Sequence, residues 1–160
     1  MEIEQKGRLI GKITQEVKMM ELQLQLKKQM ENLEQKRKEG VKPNLFDIRF
    51  LIEFYKDAQT PEMLEYYKSL NPSSWEVYSL IEECEYAQTP EMLDYYKSLN
   101  PDAWNVHDLI VNCKYCQTPE MLEYYKSLKP SYEDVGWLIA NCKYARTPEM
   151  RKYYKKLLNE

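Results

Sequence analysis

The sequence predicts an all-α chain, a short α-solenoid of four 29-residue helix-turn-helix repeats preceded by one long N-terminal helix. Three observations predict it. The tetrapeptide Thr-Pro-Glu-Met recurs at Thr60, Thr89, Thr118 and Thr147, always 29 residues apart. Apolar residues between these marks return at helical spacing. Glycine is rare, four in 160 residues, while Glu, Lys, Leu and Met are abundant.

Residues 1–41 are read as the N-terminal helix and residues 42–160 as the repeats, at about 43–71, 72–100, 101–129 and 130–160. The first segment has no proline and reads as one helix as far as Gly40, a C-cap glycine ahead of Pro43. Ile3, Ile10, Val17 and Leu24 are seven apart, and Ile13 and Met20 occupy the complementary seam, which Lys6 and Lys27 interrupt. The first reading is one long helix packed onto the first repeat, and a coiled-coil homodimer through these heptads is the alternative. After Leu24 the stripe shifts to Leu22, Leu26, Met30 and Leu33, which would face a different neighbour. Gly7 and Gly11 form a G-x-x-x-G in a polar context, which carries no membrane reading.

Each repeat holds two helix starts. Asn44, Ser73, Asp102 and Ser131 are N-cap residues at one repeat position, and Ser73 with Glu76 makes a capping box. Thr60-Pro61-Glu62 and its copies open the second helix: Thr caps, Pro at the first position loses no bond, and Glu complements the helix dipole. Helix A is expected over about 45–58 and helix B over about 61–70, ending at the Asn71-Pro72 type of junction. Helix A would bury Ile48, Leu51, Ile52, Tyr55 and Ala58, and in the next copy Val77, Leu80, Ile81, Cys84 and Ala87. Helix B would bury Met63, Tyr66, Tyr67 and Leu70. Arg151, Lys152 and Lys156 replace Leu64, Glu65 and Ser69 in the last copy, a charged terminal cap. Phe50 and Phe54 replace mostly polar residues in the first copy and need cover, for which the N-terminal helix is the candidate.

The copies differ chiefly on the helix A face opposite the expected core. Arg49, Tyr78, His107 and Gly136 share one position; Phe50, Ser79, Asp108 and Trp137 a second; Glu53, Glu82, Val111 and Ala140 a third. Trp75 with Tyr86, Trp104 with Tyr115, and Trp137 with Tyr144 lie off the core stripe, and Trp and Tyr favour interface hot spots. The candidate partner-binding set is therefore Arg49, Trp75, Tyr78, Ser79, Glu82, Tyr86, Trp104, His107, Asp108, Val111, Tyr115, Trp137 and Tyr144. The candidate oligomerisation set is Ile3, Ile10, Ile13, Val17, Met20 and Leu24. Drift on a solvated face and aromatic filling of inter-repeat seams are the competing explanations.

Other classes find less support. Residues 1–42 carry 10 Lys/Arg against 7 Asp/Glu, and residues 43–160 carry 13 against 19. Acidic repeats suit phosphate backbones poorly, although the basic first helix keeps a nucleic-acid-binding repeat as an alternative. No apolar run is long enough to span a membrane, and Glu2 and Glu4 stand where a signal peptide would be basic. Cys113 and Cys116 form a C-x-x-C, but Cys116 takes the place of Ala58, Ala87 and Ala145, and no second pair or nearby His completes a zinc set. With Cys84 and Cys142 they read as buried reduced thiols of a cytoplasmic protein, without metal or cofactor. The single histidine, His107, has no repeating partner, and Asp108 is expected to point elsewhere on the helix. No phosphate loop, nucleophile elbow or metal motif occurs, so no enzyme is expected.

The functional expectation is a non-catalytic adaptor or inhibitor that binds another protein, of unknown identity, through helix A. A structural coiled-coil oligomer is the further alternative. The near-identical repeats also suit a phage or mobile-element protein that blocks a host complex.

Overall fold

The computed structural model describes all 160 residues, in nine α-helices and four short 3-10 turns with no strand. No helix is long and apolar enough to cross a membrane. The chain forms two compact units, Met1–Asn71 and Pro72–Glu160.

The first unit contains α1 (Glu2–Lys38), α2 (Leu45–Phe54) and α3 (Pro61–Ser69), with a 3-10 turn at Lys56–Ala58. α1 stops where the sequence places its glycine. Gly40 takes a left-handed φ of 74°, its N–H donates to the Arg37 carbonyl, and the Val41 N–H donates to Lys36 at 2.9 Å. This is a Schellman ending, which satisfies two carbonyls that the helix leaves open. Only the C-terminal half of α1 packs: Leu26 and Leu33 are buried and Leu22 and Met30 partly so, while residues 1–21 are exposed throughout. The Gln23 side chain donates to the Phe54 carbonyl, yet the Phe54 ring stays exposed, so α1 does not supply the cover expected for it. Phe46, Phe50 and Phe54 instead lie against one another along α2, with ring centroids 6.2 and 4.7 Å apart.

The second unit contains α4 (Ser74–Glu83), α5 (Pro90–Ser98), α6 (Ala103–Asn112), α7 (Pro119–Ser127), α8 (Tyr132–Asn141) and α9 (Pro148–Leu158). Every helix in the pairs begins at its expected cap. Asn44, Ser73, Asp102 and Ser131 each accept a first-turn backbone N–H, and Thr60, Thr89, Thr118 and Thr147 do the same for the second helices. Ser73 with Glu76 and Ser131 with Asp134 close capping boxes.

The first helix of each pair is shorter than the expected 45–58. It ends at Phe54, and Tyr55 turns extended at φ −110°, ψ 109°; Cys84, Cys113 and Cys142 do likewise. A 3-10 turn follows, then Gln59 at φ −81°, ψ 73°, an inverse γ-turn joined by the Thr60 N–H to the Ala58 carbonyl. The break frees helix carbonyls, and a side chain takes one up in each pair. The Gln59, Gln88 and Gln117 amides donate to Ile52, Ile81 and Ile110 at 3.0–3.1 Å. Arg146 replaces glutamine in the last pair and donates to Ile139 and Ala140, both at 2.9 Å.

The break keeps the apolar positions inward. Ile48, Leu51, Ile52, Tyr55 and Ala58 are buried, as are Val77, Leu80, Ile81, Cys84 and Ala87. On the second helices the buried edge is Met63, Leu64 and Tyr67, repeated at Met92, Leu93 and Tyr96 and at Met121, Leu122 and Tyr125. This corrects the expected set, because Tyr66 and Leu70 are only partly covered. The Tyr66 position serves another purpose. Its ring lies under a cation: Arg37 over Tyr66 at 4.3 Å, Lys97 over Tyr124 at 5.3 Å and Lys126 over Tyr153 at 5.7 Å. In the last pair Arg151, Lys152 and Lys156 are all exposed.

Candidate functional site

The residues expected to form a recognition face separate into a buried layer and an exposed one. Tyr78 and His107, at one repeat position, are 4% and 3% exposed, and Ser79 is buried beside Tyr78. They cannot present side chains to a partner, which corrects their expected place on a solvated face. The reason lies in packing, since α4, α6 and α8 lie side by side within the second unit. The face away from the helix pair's own core therefore meets a neighbouring helix. The Asn112 amide of α6 donates to the Tyr78 hydroxyl of α4 at 3.2 Å. At the same position in α8 a side chain has little room, for a Cβ on Gly136 would come within 3.3 Å of the Tyr154 ring.

Above this layer sit the tryptophans. Trp75 lies nearly parallel to Tyr78, with centroids 4.9 Å apart and an interplanar angle of 11°; Trp104 covers His107 at 4.8 Å and 7°. Both come from the same geometry, an i, i+3 pair at the start of a helix whose N-cap sets the first turn. The lower ring is held in the interior and the indole remains 55% and 50% exposed. Trp137, on α8, is exposed to 58%. Phe46 holds the equivalent of the Trp75 position in the first unit and is exposed too.

His107 carries a second contact. Its Nδ1 lies 3.1 Å from Asp108 Oδ1. Neighbours in sequence were expected to diverge around the helix; here the imidazole is fixed flat under Trp104 and the flexible carboxylate turns back to meet it. The contact helps hold the ring in place. No group of three or more His, Cys, Asp or Glu side chains gathers elsewhere.

The remaining candidates are spread around these rings. Glu82, Asp108 and Val111 are half-buried, and Arg49 lies 4.0 Å from Glu53 across one turn of α2. Tyr86, Tyr115 and Tyr144 are partly exposed, but they lie in the 3-10 turns, so they do not continue the helix that bears the tryptophans. All four cysteines are buried, and none forms a disulfide. Within the C-x-x-C, the hydrogen bond between the thiols is the first cause both of the lowered pKa at Cys113 and of the raised one at Cys116, where burial adds to the rise. Cys113 therefore ionises first.

Comparison with family models, with curated proteins and with solved structures gives no match.

The apolar residues of the α1 seam are the other exposed set. Ile3, Ile10, Ile13, Val17, Met20 and Leu24 are each about half exposed or more, as is Leu9 beside them. The i, i+3 spacing of Trp75 with Tyr78 and of Trp104 with His107 is the signal in the sequence from which the two stacks could have been expected.

Proposed function

We propose that the chain is a non-catalytic protein-interaction module, a short α-solenoid of four 29-residue helix pairs with a coiled-coil segment at its N-terminus. One observation carries the binding reading: two indoles, exposed over half or more of their surface, are each held flat on a buried ring. A tryptophan restrained in this way loses little entropy on binding and offers a large apolar face. Isolated exposed apolar residues are ordinary on protein surfaces, but supported tryptophans at one repeated position are not explained by core packing. The acidic balance of residues 43–160 favours a protein partner with basic residues around its apolar contact. The same balance disfavours nucleic acid.

Binding of the captured partner tests this reading. Trp75→Ala with Trp104→Ala is expected to weaken it at least tenfold, since hot-spot truncations cost about 2 kcal/mol or more. The far-ultraviolet circular dichroism should remain helical. Unchanged affinity in that double variant rejects the surface.

A further inference from the structure

From the exposed seam of α1 we infer that the helix pairs antiparallel with α1 of a second copy of this chain, about a two-fold axis near residue 15. The inference rests on the coiled-coil reading above and adds the occupant, its direction and its register.

The first half of α1 needs a partner. Residues 1–21 are exposed throughout, and nothing lies within 4 Å of a Cβ placed on Gly7 or Gly11. Gly7 and Gly11 weaken this helix relative to alanine, and helices in proteins draw most of their stability from packing an apolar face, which this half does not do within its own chain. Beside the folded unit the seam stays open, with Tyr55 and Asp57 along one edge. Leu22 and Leu26 stand two residues either side of Leu24, roughly 160–200° around the helix. The stripe that packs inward therefore lies on the face opposite the seam.

The order of seam residues selects the second copy and its direction. Read as alternating core positions, they run Ile3, Lys6, Ile10, Ile13, Val17, Met20, Leu24, Lys27. In a parallel pair each residue meets itself, so Lys6 faces Lys6 and Lys27 faces Lys27 inside the seam. In an antiparallel pair residues whose numbers add to about 30 meet. Ile13 then packs on Val17, Ile10 on Met20, and each seam lysine lies across from an apolar residue, Lys6 from Leu24 and Lys27 from Ile3. A surface that complements itself in this manner makes a closed two-fold contact.

The ends match as well. Met20, Leu24 and Lys27 line a groove with Tyr55 and Asp57 of the first unit. The register brings the second copy's Lys6 beside Leu24, on the side where Asp57 stands, and its Glu2 beside Lys27. In the single chain Lys6 has only its exposed pairing with Glu2, at 3.3 Å. Leu9, which core positions leave out, enters the same groove near Met20.

The test uses the full chain. Light scattering should give twice the 19.3 kDa chain mass. In a thiol–disulfide buffer an Ile10→Cys chain mixed with a Met20→Cys chain should form a mixed disulfide. Ile10→Cys alone should not, because its two copies would stand about 15 Å apart along the axis. Asp57→Lys should raise the dimer dissociation constant about 3- to 30-fold, given two solvent-exposed pairs per dimer. Adding Lys6→Glu should recover it. Self-linking of Ile10→Cys overturns the antiparallel register while leaving the coiled coil standing; a monomer at all concentrations overturns both.

Discussion

Lys129 is the residue at which local conformation and side chain disagree most. The second helix of each of the first three pairs ends on a left-handed residue before proline: Asn71 at φ 55°, Asn100 at 53° and Lys129 at 53°. Proline at the next place has no N–H to complete a Schellman ending, so the left-handed residue itself reverses the chain. Asparagine tolerates this region and lysine does not, at a cost of about 1 kcal/mol. Lys129→Asn should therefore raise stability by about 0.5–1 kcal/mol, measured as a higher urea midpoint with unchanged slope. The tyrosines set a second residue-scale expectation. Tyr96 and Tyr125 are fully buried with no protein group bonding their hydroxyls, and burial raises both pKa values. A raised folded value means that full stability is present below the unfolded tyrosine value of about 10 and is lost as pH climbs beyond it. The melting temperature should hold up to about pH 9.5 and fall above about 10. Tyr96→Phe with Tyr125→Phe should reduce that fall and leave neutral stability equal or higher.

At the scale of the element, the helix pair depends on an ending as much as on its two starts. The N-caps are local in sequence and were legible there, because Ser, Asp, Asn and Thr accept from amides two or three residues away. The early end of the first helix was not legible. Its cause acts across seven residues, where the Gln88 amide reaches back to the Ile81 carbonyl at 3.0 Å. Apolar periodicity continues through Cys84 and Ala87 as though the helix did too, because an extended residue followed by a 3-10 turn returns both to the same interior. Gln88→Ala should cost about 1–2 kcal/mol by stripping a partly buried carbonyl of its donor, readable as a lower thermal midpoint. Gln88→Arg is the informative comparison, since Arg146 makes the equivalent bond in the last pair. It should retain most of the stability.

For the whole molecule, the two halves of the long helix differ in what they pack against. Its C-terminal half belongs to the first unit through Leu26, Leu33 and the Arg37–Tyr66 contact. Its N-terminal half is exposed along its whole length. Removing residues 2–20 should leave the midpoint of the helix pairs within a few degrees. A chain starting at Lys42 also loses two buried leucines, each worth about 2–3 kcal/mol, and the first pair should melt at a distinctly lower temperature. Hydrogen exchange read separately for residues 43–71 and 72–160 distinguishes the two outcomes.

Where the helices start, their caps, the 29-residue period, the core positions of the first helices and the inward stripe of α1 were legible in the sequence alone. Each of these is written in local chemistry or in the 100° step between neighbouring side chains. Tertiary structure alone decided which varied positions are free to meet a partner. Tyr78 and His107 vary as freely as any surface residue, yet the packing of α4, α6 and α8 side by side takes them out of water and leaves Trp75 and Trp104 lying on top of them. A period reports which residues share a face; it does not report that the face already has a neighbouring helix against it.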